Sequence, residues 1–386
     1  MTTLGDLVVE AQSGFACGKE DQDGIFQFRM HNVSKESALV LDKRRRVPRD
    51  AHKKLDQFLV RERDVMFNAT NSPDGVGKSI LVPALDEPAV FSNHFLRLRP
   101  DPQRLDAAYL WRWLQYRFKV GVFSLMARQW VNQATVDRTR LLGLPFALPA
   151  LEEQRRIAAI LDQADALRTK RRQSLAHLDD LTQSIFHAMF GSTTATVRLG
   201  DLCRLYSGGT PSKKKPELWA GDLPWFSAKD LKATDLWDSQ DHIAGRVPEE
   251  TSIRLLPANT IALVVRGMIL AHSTPVSVIR VPATINQDLK ALLPQSDTQV
   301  DFLASALRAR TQWILARVAT AAHGTKRLET TVLESVPIPD VARRSQDEFA
   351  ARVANIKSQR TAVECGLAAD DELFSALQSR AFSRGL

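Results

Sequence analysis

The chain has 386 residues, too many for one ordinary domain, and its 44% hydrophobic and 25% charged content is globular rather than disordered. Its three cysteines, Cys17, Cys203 and Cys365, are too few and too far apart for a disulfide framework, which fits a reducing cytoplasm. The net charge of +8 leans towards a polyanionic partner; no apolar run reaches the ~18 residues of a membrane helix, and no basic stretch leading into an apolar one marks a signal peptide after Met1.

In chain order, four segments are expected. Residues 1–149 mix short β-rich runs, such as Ile80-Leu-Val and Phe95-Leu-Arg-Leu, with Gly- and Pro-punctuated turns and a helix over 107–118. They hold 22 basic against 17 acidic side chains. Residues 150–191 hold six of each. From 152 to 190 they contain neither Pro nor Gly, and Ile157, Leu161, Ala164, Leu167, Leu175, Leu178, Leu181, Ile185 and Met189 fall mostly three or four apart. That spacing makes one apolar stripe on a helix of about 38 residues, roughly 55 Å long, ended by Gly191.

Residues 192–339 return to the mixed pattern, with β-rich runs at Thr260-Ile-Ala-Leu-Val-Val and Val276-Ser-Val-Ile-Arg-Val, a helical stretch over 300–318, and 17 basic against 14 acidic side chains. Residues 340–386 are again neutral and helical, with a stripe at Phe349, Val353, Ile356, Leu367, Leu373 and Leu377 that Cys365 and Gly366 weaken in the middle. All of the positive excess therefore lies in the two mixed blocks, which are the parts a polyanion would meet.

The second half repeats the first. Leu4-Gly5-Asp6-Leu7 recurs as Leu199-Gly200-Asp201-Leu202, and Ser13-Gly14 as Ser207-Gly208. Asn93 matches Asn286, Leu144-Pro145 matches Val336-Pro337, Gln154 matches Gln346, and Phe190 matches Phe382. The common order and near-constant offset mark a tandem duplication. The expected fold is α+β: two tandem α/β domains separated by two long antiparallel coiled-coil helices. The stripes at Ile157, Leu161, Ala164, Leu175, Leu181 and Ile185 would face those at Phe349, Val353, Ile356, Leu367, Leu373 and Leu377. The domains would then sit at opposite ends of a rod; the competing arrangement folds each helix back on its own domain.

These residues resemble the specificity subunits of type I restriction–modification systems. Leu148-Pro-Ala-Leu-Glu-Glu-Gln-Arg-Arg-Ile157 is similar to the start of that family's first spacer helix. Val197-Arg-Leu-Gly-Asp-Leu202, Ser207-Gly-Gly-Thr-Pro-Ser212 and Trp219-Ala-Gly-Asp-Leu-Pro-Trp225 look like the opening of a target-recognition domain. Arg266-Gly-Met-Ile-Leu270, Asn286-Gln-Asp288, and Phe67-Asn-Ala-Thr-Asn-Ser72 before Gly77-Lys78 are similar to further segments, although no Glu precedes Gln346. The resemblance implies a cytoplasmic, non-catalytic subunit with target-recognition domains at 1–149 and 192–339 and spacer helices at 150–191 and 340–386. It also implies docking of two methyltransferase subunits and of restriction subunits. S-adenosylmethionine, ATP and Mg2+ would sit on those partners, with no cofactor and no metal on this chain. Other readings are an adaptor for a different phage-defence methylase or nuclease, and a helical protein-binding scaffold.

Catalytic motifs are weak. Ser72-Pro-Asp-Gly-Val-Gly77-Lys78-Ser79 approaches a phosphate-binding loop, but Ser72 stands where its first Gly belongs and Pro73 removes a backbone donor. Asp230-Leu-Lys232 and Asp288-Leu-Lys290 are minimal nuclease-like triplets of a kind expected by chance. For a DNA reader, Arg44-Arg-Arg46, Lys78 and Lys213-Lys-Lys215 (Lys213, Lys214, Lys215) are candidates for phosphate contact, with Arg45 in the middle of the first run. Candidates for base edges are Arg29, Asn32, Asn71, Arg128, Gln129, Asn132 and Gln133 in the first domain. In the second they are Ser227, Lys229, Arg266, His323, Lys326 and Arg327. Two unlike domains on a helical rod imply a bipartite, asymmetric target with a constant gap, and shortening a helix by one turn should alter the gap and spare the half-sites.

Overall fold

A computed structural model describes residues 2–34, 37–295, 297–320 and 324–383, apart from the side chain of Asp179. The chain divides into two compact units. One comprises the residues up to Arg171 together with those from Gly366 onward; the other is Arg172–Cys365. Four helices are named here: α1 (Ala107–Lys119), α2 (Leu151–Phe190), α3 (Val300–Ala309) and α4 (Arg343–Phe382).

The first unit contains a four-stranded antiparallel sheet in the order Val8–Ser13, Phe95–Pro100, Val65–Asn68, Ser79–Leu81. A smaller sheet sets Ile25–Phe28 antiparallel to Arg46–Val47 and parallel to Ala89–Phe91. The second unit has the same plan. Its sheet runs Cys203–Ser207, Leu289–Pro294, Thr260–Val264, Val276–Ile279, and adds Asp235–Leu236 as a parallel fifth strand. Its smaller sheet sets Leu223–Phe226 antiparallel to Asp241–Ile243 and parallel to Thr284–Ile285.

The sequence matches fall on identical bonds. The Leu4 N–H donates to the Leu144 carbonyl at 3.0 Å, and the Leu199 N–H donates to the Val336 carbonyl at 3.0 Å. Gly14 and Gly208 each leave the first strand of their unit against a backbone. A Cβ there would lie 2.3 Å from the Phe91 carbonyl oxygen, or 2.1 Å from that of Ile285, so only glycine fits without moving main chain.

Each core lies between the large sheet and a helix. In the first unit, α1 buries Leu110, Trp113 and Leu114 against Phe67, Leu96 and Leu98, and the Asp106 carboxylate caps it by accepting the N–H groups of Ala108 and Tyr109. The part of α2 up to Arg171 and the part of α4 from Gly366 complete this core with Leu161, Ala164, Phe374 and Phe382. They run antiparallel, since Arg168 bonds Asp371 and Arg171 bonds Asp370. In the second unit, Phe186 and Phe190 of α2 meet Phe302 of α3 and Phe349 of α4 with ring centroids 5.1–5.8 Å apart. Helix against helix and helix against domain therefore occur together within each unit.

The apolar stripe needs correction at two places. Leu161, Ala164, Phe349, Val353 and Ile356 are buried, and Ile157, Leu175, Ile185, Leu367 and Leu377 are half-buried. Leu181 and Leu373 are instead 40% and 52% exposed. Phe374, next to Leu373, and Phe186, next to half-buried Ile185, are buried instead, as when a helix of 3.6 residues per turn drifts from a fixed spacing of threes and fours. Through Cys365–Gly366, where the stripe is weakest, α4 is continuous, and Gly366 lies against the Arg171 guanidinium.

Candidate nucleic-acid interface

Each unit carries a short β-ribbon next to the loop that joins the third and fourth strands of its large sheet. In the first unit, Arg128–Trp130 pairs with Gln133–Thr135, which in turn pairs with Thr70–Asn71. Arg128, Gln129, Asn132 and Gln133 come together here, all exposed, and none bonds a described side chain or backbone group through its own side chain. Asn71 lies beside them, but its Oδ1 accepts the Ser72 N–H at 2.7 Å and its side chain packs against Gly75. Lys78, half-buried, closes the same loop.

In the second unit, Ala319–Thr320 pairs with Lys326–Arg327, and Arg266 bridges to Arg327. Arg266 and Arg327 are exposed; Lys326 donates to the Thr320 hydroxyl at 2.9 Å, and Arg327 lies 3.2 Å from Glu329. His323 falls outside the described residues. Lys213, Lys214 and Lys215 stand elsewhere on this unit, exposed and without an ion pair among the described residues.

Several candidates prove to be structural. Asn32 is fully buried: its Oδ1 accepts the Arg29 N–H and its Nδ2 donates to the Val40 and Lys43 carbonyls. A fully buried side chain that has given both amide hydrogens to core carbonyls does not reach a base. Arg29 donates to the Cys17 carbonyl and the Gln27 side chain; burial, and then neighbouring Arg45, push its guanidinium below its usual value. Arg44 is held by Asp86 and Glu87, Arg46 by Glu87 and the Gly24 carbonyl, and Arg45 by the Gly18 carbonyl with Glu20 at 3.8 Å. The run that reads as a solvated basic turn is thus neutralised largely by acids remote from it in sequence. Ser227 is buried and bonds Asp230, and Lys229 pairs with Asp241 at 2.7 Å, which holds its ammonium above the usual value.

The catalytic-looking motifs have structural roles too. Asp230 accepts from the Ser227 N–H and hydroxyl and from the Gln240 N–H, while Asn286 accepts the Asp288 N–H in a turn. In the loop after Ser72, the N–H groups of Gly75 and Val76 go to the Ser72 carbonyl and that of Gly77 to the Asn68 carbonyl, so these amides do not form a phosphate cradle. Among the described residues no three His, Cys, Asp or Glu side chains cluster as metal ligands, and no helix is long and apolar enough to cross a membrane.

Two further features of the ribbons are apolar, and a reading of polar side chains misses them. Trp130 and Val131, at the tip of the first ribbon, are 71% and 97% exposed. In the loop facing the second ribbon, Met268 and Ile269 are 62% and 44% exposed. The available signal was the apolar pair set inside a polar run, Arg128-Gln-Trp-Val-Asn-Gln133.

The duplicated fold has counterparts among known proteins. A sequence model of the type I restriction modification DNA specificity domain matches residues 22–177 and again 192–364. The specificity subunit of the type I restriction enzyme EcoR124I/EcoR124II of Escherichia coli is 37% identical over 146 residues, which are 37% of this chain and 36% of that protein. A putative type I restriction enzyme MjaX specificity subunit of Methanocaldococcus jannaschii is 33% identical over 104 residues, 27% of this chain and 24% of that one. The StySPI specificity subunit of Salmonella potsdam is 27% identical over 208 residues, 51% of this chain and 44% of its own. The chain thus spans less than half the length of each of these relatives. In fold it is similar to a type I restriction–modification S subunit from M. genitalium, with a TM-score of 0.60 at 17% identity over 98% of this chain and 95% of that one. It is also similar to a chain from a structure of type I R-M complex assembly, with a TM-score of 0.58 at 18% identity over 99% and 96%. With one domain description matching both halves of a duplicated fold, the chain belongs to the type I restriction–modification DNA specificity family.

Proposed function

We propose that this chain is a DNA sequence-specificity subunit that recognises a bipartite, asymmetric double-stranded target and docks two methyltransferase subunits and restriction subunits. The observation that carries this reading is the duplicated unit: one topology twice, each copy presenting an exposed β-ribbon, with different side chains on the two ribbons. A two-stranded ribbon fits the major groove, where base pairs are distinguishable. Unlike ribbons would read unlike half-sites. In the first unit Arg128, Gln129, Asn132 and Gln133 would meet base edges; in the second Arg266, Lys326 and Arg327 would do so, with Lys213, Lys214 and Lys215 on phosphates.

In this reading the chain performs no chemistry. S-adenosylmethionine, ATP and Mg2+ would bind the partner subunits, which would dock on the charged outer faces of α2 and α4. The test is a random-duplex selection with the complex recovered through a tag on this chain. Two short unlike motifs at one spacing are expected. A DNA-competent complex that enriches no motif would overturn the reading and leave a scaffold or non-specific adaptor in its place.

A further inference from the structure

The tip of the first ribbon is apolar and exposed. Hairpin turns that hold a residue at positive φ favour Gly, Asn and Asp. The two turn residues here, Val131 and Asn132, lie outside that region, so the turn makes no such demand, and a β-branched Val131 is 97% exposed with nothing to pack on. Trp130 beside it is 71% exposed, and Leu125 in the preceding short helix is 87% exposed. Core packing does not account for these side chains, and an exposed apolar cluster of this kind points to a contact surface.

Register gives them a setting. Along a strand, side chains alternate between faces. Trp130 pairs with Gln133 and Arg128 with Thr135, so these four share one face of the ribbon. On the opposite face Ala134, in the middle strand, is fully buried, whereas its partner Gln129, on the edge strand, is exposed. Trp130, with Val131 following it in the turn, therefore stands on the same face as an Arg and a Gln suited to guanine and adenine edges. Between 128 and 140 the chain carries Arg128, Arg138 and Arg140 against Asp137 alone, a charge that suits a polyanion.

We infer that the Trp130–Val131 tip is an apolar reading element that enters the major groove and packs on thymine 5-methyl groups, beside the base-edge contacts of Arg128 and Gln133. This rests on the chain's reading DNA at all. The only mark that separates thymine from uracil in the groove is that methyl group, so the inference makes a chemical prediction that hydrogen-bond readout alone does not.

The experiment uses the complex recovered with wild-type chain, Val131→Ala and Trp130→Ala, each put through the same duplex selection. Each thymine of the wild-type motif is then replaced singly by deoxyuridine and binding is measured. Removing one buried methyl group should weaken wild-type binding about fourfold at one or two positions of a single half-site. Val131→Ala or Trp130→Ala should abolish that sensitivity and relax the same positions, leaving the other half-site intact. Val131 packs on nothing, so its truncation does not threaten folding. Wild-type binding indifferent to every deoxyuridine, or variants with unchanged motif and sensitivity, would overturn the inference while sparing the DNA reading. Reduced recovery of partner subunits with either variant would also overturn it, in favour of a protein contact. Absence of any motif with wild-type chain would instead sink the DNA reading itself.

Discussion

Gln154 accepts the backbone N–H of Asp106 at 2.9 Å, and its amide nitrogen donates to the Arg104 and Pro149 carbonyls at 2.9 Å each. Asp106 is the residue that caps α1, so one buried side chain near the start of α2 fixes the start of the helix that covers the large sheet. The second unit repeats the device. Gln346, near the start of α4, accepts the N–H of Gln299, the cap of α3, at 2.9 Å and donates to the Val341 carbonyl. The Glu missing before Gln346 does not prevent this bond.

Replacing Gln154 by Leu would strand one N–H donor and two carbonyls, at about 1–3 kcal/mol for a buried group left unpaired. The expected result is faster amide exchange in α1, with α3 unchanged. Gln346→Leu should give the reverse. Equal exchange throughout α1 and α3 in both variants would show that the clamps are dispensable.

The lysine and arginine runs should part company in salt titrations. Lys213, Lys214 and Lys215 are exposed and without an ion pair among the described residues. Each alanine there should weaken binding to all duplexes alike and flatten the dependence of log K on log salt by about 0.9 for every phosphate left without its cation. Arg44→Ala should leave that slope alone, because Arg44 already holds Asp86 and Glu87. A slope that moves with Arg44 and not with Lys213 would reverse the assignment.

What could be read in advance follows from how local each signal is. The duplication and both long helices were legible, because offset and periodicity are properties of the sequence itself; the repeat offset alone pairs Gln154 with Gln346. The cluster Arg128, Gln129, Asn132 and Gln133 was legible because it lies in one short segment. The Arg44–Arg46 run misled because its acidic partners Asp86 and Glu87 are remote in sequence. Asn32 misled because burial of a polar side chain depends on carbonyls supplied by tertiary folding. The fifth strand, Asp235–Leu236, is two residues long and exists only through its pairing with Val276–Ile279.

Thiol reactivity should divide the cysteines. Cys203 is buried, and burial followed by the charge of Glu334 pushes its thiol up to about 12, whereas Cys365 is exposed on α4. At pH 8 only about one Cys203 in ten thousand would be thiolate, the nucleophilic form. Because the folded pKa is raised, the share of stability held by this thiol is full below the unfolded value of about 8.5 and is lost as pH climbs towards 12. Iodoacetamide at pH 8 should therefore modify Cys365 in the folded chain and Cys203 only after denaturation, as read by peptide mass spectrometry. Equal rates in the folded chain would contradict the burial of Cys203.

The corrected helix contact makes neighbouring residues behave differently. Phe374 is buried in the first unit between two guanidinium groups, with Arg168 4.3 Å and Arg112 5.6 Å from its ring centroid. Arg112 is itself nearly buried and bonded to Asp162 and Asp165, so the ring seals a charged cluster joining α1 to α2. Phe374→Ala should cost about 3–5 kcal/mol, the range for emptying an aromatic core site, and should loosen α1 together with the early part of α2. Leu373, 52% exposed, should tolerate Ser within about 0.5 kcal/mol. Denaturant unfolding of the chain free of partners, with exchange in α1 as the local readout, decides between them. A larger destabilisation at Leu373 than at Phe374 would return the contact to the stripe read from the sequence.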